Sequence, residues 1–130
     1  MEKIREITTY KSYFSDYYTI QNAKLQAKID FVLYILETQH FVPDTYVKHI
    51  TGSNGIYEIR VSTGSNEYRV LFFFENGDLI SGGKVVILGN GFLKKANRDY
   101  KKAVQLAEAI KEVYFEEKVE NDINKDIDNI

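Results

Sequence analysis

The chain lacks cysteine and tryptophan and has one proline and one methionine among its 130 residues. Without cysteine it can build neither a disulfide framework nor a thiolate zinc site. No apolar run approaches the roughly 20 residues of a membrane-spanning helix, and the N-terminus shows no signal segment. The expectation is a soluble, cytoplasmic domain with no membrane partner. An excess of one charge sign is missing too, the net charge being -2. That balance hides an asymmetry: residues 1–115 are basic by two charges, while residues 116–130 are acidic by four. Only local cationic clusters can therefore argue for a nucleic-acid ligand. No phosphate loop, dinucleotide fingerprint, His-Glu-x-x-His or serine elbow is present. No cofactor and no metal are expected. His40 and His49, separated by nine positions without a carboxylate pattern, make no metal motif, although either can act as a general base.

What is present is aromatic and β-branched. The chain holds 10 Tyr and 8 Phe, and a 44% hydrophobic composition at this length suits one domain with a modest core. Residues 1–118 are expected to form that domain, with 119–130 as an acidic, flexible tail. The tail is either solvated, bound to a partner, or folded back over a cationic site. Ile4–Tyr10 reads as a short edge strand, and Ser12–Tyr18 as an aromatic loop or helical turn whose tyrosines can stack on bases. Thr19 is expected to cap a helix from Ile20 to Thr38, with an apolar stripe of Ile20, Ala23, Ala27, Phe31 and Tyr34 widened by Leu25, Ile29, Leu33 and Leu36. Asp44–Ile50 suggests a short helix.

The informative stretch runs from Ile56 to Lys102. Ile56–Val61 and Tyr68–Phe74 alternate with a period of two around the turn composition Thr63-Gly64-Ser65-Asn66. If Ser62 faces Glu67, then Tyr57, Ile59 and Val61 oppose Phe72, Val70 and Tyr68 in one apolar face. A slip of one residue would mix Arg69 and Glu67 into it. The same register sets Arg60 opposite Arg69 on the other face, beside Glu58. Like charges in direct opposition destabilise a sheet, so an anion is called for: either Glu58 or a bound phosphate, which guanidinium fits well.

Asn76-Gly77 marks another hairpin turn. Ser81-Gly82-Gly83 interrupts the returning strand, which resumes as the buried Val85–Leu88. Gly89-Asn90-Gly91 is read as a sharp exit with positive φ. Phe92, Lys94, Lys95, Arg98, Lys101 and Lys102 follow as the last helix begins, capped by Asn97 or Asp99, with Tyr100, Ala103, Val104, Ala107, Ile110 and Val113 on one stripe. Cations in a first helical turn oppose the helix dipole, which again suggests a polyanion.

Several of these segments, taken in order, have a family likeness: Ile56–Val61, Tyr68-Arg69-Val70, Phe72-Phe73-Phe74, Asn90-Gly91-Phe92 with Lys94-Lys95, and Tyr114–Lys118. Over roughly residues 20–118 the chain resembles the RelE/ParE superfamily of bacterial toxins, in its HigB-like, phage-related branch. The resemblance implies an α+β fold, in which a small twisted antiparallel sheet with a mixed edge packs against N-terminal helices and a C-terminal helix. It also implies a toxin of a type II toxin-antitoxin system, cleaving mRNA on the ribosome and paired with a small helix-turn-helix antitoxin. On that reading Arg60, Arg69, Lys94 and Lys95 are the catalytic candidates, and Phe92, Arg98, Lys101 and Lys102 bind substrate. Some relatives use a tyrosine or histidine near the C-terminal end, and Tyr100 and Tyr114 are available here. ParE-like relatives inhibit DNA gyrase instead, and a non-catalytic antitoxin-binding domain is a third reading.

Overall fold

The computed structural model describes residues 2–129. The fold is α+β, with one five-stranded mixed sheet between two helical layers. In chain order the elements are β1 (Glu6–Thr9), α1 (Tyr13–Thr19), α2 (Ala23–Thr38), β2 (Val47–His49), β3 (Tyr57–Thr63), β4 (Asn66–Phe74), β5 (Val85–Lys94) and α3 (Asn97–Asp128). The strand order is β1-β5-β4-β3-β2. β1 runs parallel to β5 at one edge, and the other pairs are antiparallel. This is the architecture expected from the RelE resemblance.

The β3–β4 hairpin has the expected register: Tyr57, Ile59 and Val61 pair with Phe72, Val70 and Tyr68, and Arg60 with Arg69. Thr63 pairs with Asn66, so the loop itself is only Gly64-Ser65, with Gly64 at φ +59°. Each face then finds its helix. On one, Leu25, Ile29, Val32 and Leu36 of α2 bury Ile59, Val70, Phe72 and Leu88. On the other, Ala103, Ala107 and Ile110 of α3 bury Leu71, Phe73 and Ile87. Complete burial of side chains such as Phe72 and Leu71 contributes about 1.5–3 kcal/mol each.

Local readings that differ do so for identifiable reasons. The α2 cap is Asn22, whose side chain accepts from the Leu25 N–H at 2.9 Å, and Thr19 ends α1 instead. α2 docks on the sheet by its Leu25, Ile29, Val32 and Leu36 stripe, leaving Ile20, Phe31 and Tyr34 at least 46% exposed. Arg5 closes the other end of α2: its guanidinium donates to the carbonyls of Leu36, Gln39 and His40. Those carbonyls lie at the negative end of the helix dipole, where a cation is favoured. Val47–His49 is a strand paired with β3 rather than a helix. α3 starts at Asn97 after Ala96, with no side-chain cap, and does not stop at Lys118. The acidic residues from 119 to 128 are its last helical turns.

Gly89-Asn90-Gly91 is not an exit turn but the interior of β5, and neither glycine has positive φ. Val70 pairs with Gly91 and Phe72 with Leu88, so β5 carries one residue more than β4 across this interval. Such a bulge reverses the alternation of side chains beyond it. Leu88 therefore faces α2, while Phe92 and Lys94 are turned to the α3 face. Gly91 has its own reason to lack a side chain: a Cβ there would fall 2.4 Å from the Tyr17 ring.

Candidate functional site

α3 covers Leu71, Phe73 and Ile87 on this face of the sheet, and the polar cluster lies beside the first turn of that helix. Three strands present side chains there in one transverse row, Arg60 from β3, Arg69 from β4 and Phe92 from β5. Glu58 stands two residues before Arg60, and Lys94 two residues after Phe92, opposite Glu67. Tyr100, from the first turn of α3, lies across them. Its hydroxyl donates to Glu58 Oε2 at 3.0 Å. Its ring meets Phe92 edge-on at 5.9 Å between centroids and has Lys94 Nζ 5.4 Å from its own.

The two arginines are not equivalent. Arg69 has 3% of its side chain exposed, with Nε 3.2 Å from Glu58 Oε2 and Nη1 donating to Glu67 Oε2 and the Tyr68 carbonyl. The Nε–Glu58 contact is an ion pair without hydrogen-bond alignment, leaving that N–H otherwise unpartnered. Arg60 is 34% exposed, has Nε 3.8 Å from Glu58 Oε1, and donates to the Asp44 carbonyl at 3.1 Å. The opposed guanidiniums are thus bridged by a single buried carboxylate, with Arg60 open to solvent and Arg69 enclosed. Glu58 is the site residue that strand patterning undervalues: it reads as a counter-charge and proves to be the centre.

Burial, with the Glu58 charge and hydrogen bond behind it, pushes the Tyr100 hydroxyl up to about 12, against the opposing pull of Arg69 and Arg60. Tyr100 is accordingly a neutral donor at physiological pH. Lys95, Arg98, Lys101 and Lys102 are exposed and, among the described residues, make no ion pair. They extend a cationic margin along the start of α3 without touching the Glu58 cluster.

The other candidates are committed elsewhere. His49 sits on the opposite face, edge-on to Tyr57 at 5.1 Å, and His40 lies in the loop after α2. Tyr114 donates to Glu75 at 2.6 Å, and Tyr18 to Asp30 at 2.8 Å. Tyr17 packs on Gly91 and Phe14 on Tyr18.

Residues 18–112 match the family described as phage derived protein Gp49-like (DUF891). The chain belongs to that family. Gp49-like proteins are of the RelE-like toxin type, which implies an antitoxin partner. The matched region spans both faces of the sheet and every member of the Glu58 cluster. No curated protein and no solved structure matches the chain. Among the described residues, no helix is long and apolar enough to cross a membrane, and no group of three or more His, Asp or Glu residues could hold a metal ion.

Proposed function

We propose that this Gp49-like protein is the toxin of a type II toxin-antitoxin system, of the HigB-like kind, and that it cleaves mRNA on the ribosome. The observation that carries the reading is the convergence of Arg60, Arg69, Phe92, Lys94 and Tyr100 around Glu58, on a sheet face margined by four exposed cations. Such a site can cleave RNA with the substrate's own 2′-hydroxyl as nucleophile, forming a cyclic phosphate and releasing the 5′-oxygen of the next nucleotide. The protein then supplies proton transfer, alignment and charge stabilisation.

In this mechanism the exposed guanidinium of Arg60 and the ammonium of Lys94 hold the scissile phosphate. Glu58, the cluster's central carboxylate, accepts the 2′-hydroxyl proton, and Lys94 returns a proton to the leaving oxygen. Arg69 acts through Glu58, fixing its orientation, and Tyr100 holds the same carboxylate from the helix side. Phe92 offers an edge to the neighbouring base, while Lys95, Arg98, Lys101 and Lys102 take flanking phosphates.

The test is a translating extract supplied with purified protein, followed by mapping of mRNA ends. Cuts positioned by codon, lost in Arg60→Ala and Lys94→Ala, support the proposal. Intact mRNA with inhibited supercoiling by gyrase would assign the ParE-like activity instead. Neither effect would leave a non-catalytic antitoxin-binding domain.

A further inference from the structure

α3 has 32 residues, about 48 Å at 1.5 Å per residue, and is apolar on two sides. Ala103, Ala107 and Ile110 face the sheet. On the outward side Leu106, Ala109, Val113, Ile123 and Ile127 are all exposed. With Lys102, Glu116 and Glu120 they form a run from 102 to 127 in which steps of four and three residues alternate. This is the spacing of a seam between two helices. Every residue from 119 to 129 is exposed, and among the described residues the last side-chain tie from α3 to the rest of the domain is Lys118 to Glu75, just after β4, at 2.8 Å. A helical extension of this length gains its stability from packing rather than propensity, and among the described residues this one is exposed throughout.

We infer that the outer face of α3 pairs antiparallel with α3 of a second copy. The seam is self-complementary under a two-fold axis: setting Leu106 against the partner's Ile123 also sets Val113 against the partner's Glu116, Ala109 against the partner's Glu120, and Lys102 against the partner's Ile127. In that register Lys101 and Lys102 lie beside the partner's Asp126 and Asp128. Symmetry repeats the match at the other end, so the basic start of each helix meets the acidic end of its mate. A parallel pair would stack basic on basic and acidic on acidic, which selects the antiparallel arrangement. Glu116 falls next to the axis and therefore beside its own symmetry mate, which keeps the dimer weak.

Light scattering behind size exclusion tests this on the full chain. The mass should move from 15.1 kDa towards twice that value as protein concentration rises, more readily at low salt. Ile123→Asp with Ile127→Asp should hold it at the single-chain mass without changing the melting of the domain, because both residues are exposed beyond the last tie. Glu116→Leu should tighten association by about tenfold. The absence of native cysteine allows an orientation test: Leu106→Cys and Ile123→Cys should form a disulfide when the two variants are mixed and none when each is alone. A single-chain mass at every concentration, a dimer that survives the double Asp variant, or cross-linking within either single variant would overturn the proposal. Cleavage of RNA plays no part in any of these readouts.

Discussion

The Glu58–Arg69 pair makes a quantitative claim on stability. Their side chains are 7% and 3% exposed, so removing one charge leaves the other buried in a poorly solvating medium. Breaking such a pair costs about 3–5 kcal/mol. Arg69 keeps its bonds to Glu67 and the Tyr68 carbonyl, which places Glu58→Gln near the lower end of that range. For a domain of this size about 3 kcal/mol corresponds to a fall in Tm of roughly 10 °C. Glu67→Gln is the internal control, because its side chain is 51% exposed and its bridge to Arg69 is worth under about 1 kcal/mol. The double variant Glu58→Gln/Arg69→Met should recover part of the loss, since both buried charges are then gone. Urea denaturation with a two-state fit measures all three. If Glu58→Gln and Glu67→Gln are equally mild, the reasoning from burial is wrong and Glu58 is held for chemistry alone.

The other expectations are smaller. Arg60→Ala and Lys94→Ala should each leave urea stability within about 1 kcal/mol of the parent while reducing RNA cleavage by at least roughly tenfold; a destabilised Arg60→Ala would remove the distinction drawn between the two arginines. Gly91→Ala should cost about 1–3 kcal/mol because its Cβ meets the Tyr17 ring at 2.4 Å, and Tyr17→Ala in the same chain should make the added cost of Gly91→Ala disappear in a double-mutant cycle. Burial lifts the hydroxyls of Tyr17, Tyr100 and Tyr114 to about 12 from the ordinary 10.0 of a tyrosine. The folded state thus keeps these protons longer than the unfolded state. Their contribution is complete below about pH 10 and is lost as pH rises towards about 12. Tyrosinate absorbance and ellipticity should report a joint alkaline transition in that window. Tyr17→Phe should lessen it at little cost near neutrality, since the Tyr17 hydroxyl is buried without a partner.

The hairpin of β3 and β4 shows what is legible in a linear pattern. Alternation with a period of two admits one register that keeps charge out of the apolar face, so the opposition of Arg60 and Arg69 follows before any coordinates are known. The edge strand β1 and the α+β class are similarly recoverable. The buried face of α2 was not, because the segment carries two apolar stripes and only docking on the sheet selects Leu25, Ile29, Val32 and Leu36 over Phe31 and Tyr34.

What the sequence determined by itself was the inventory and the pairing: no thiol chemistry, one aromatic core, two arginines face to face and a cationic segment after the last strand. What only the tertiary structure decided was convergence. One additional residue in β5 turns Phe92 and Lys94 towards Arg69, and the start of α3 lays Tyr100 on Glu58, from 42 positions away. A bulge and a helix docking angle are set by packing across the whole sheet, and no local run of residues encodes them.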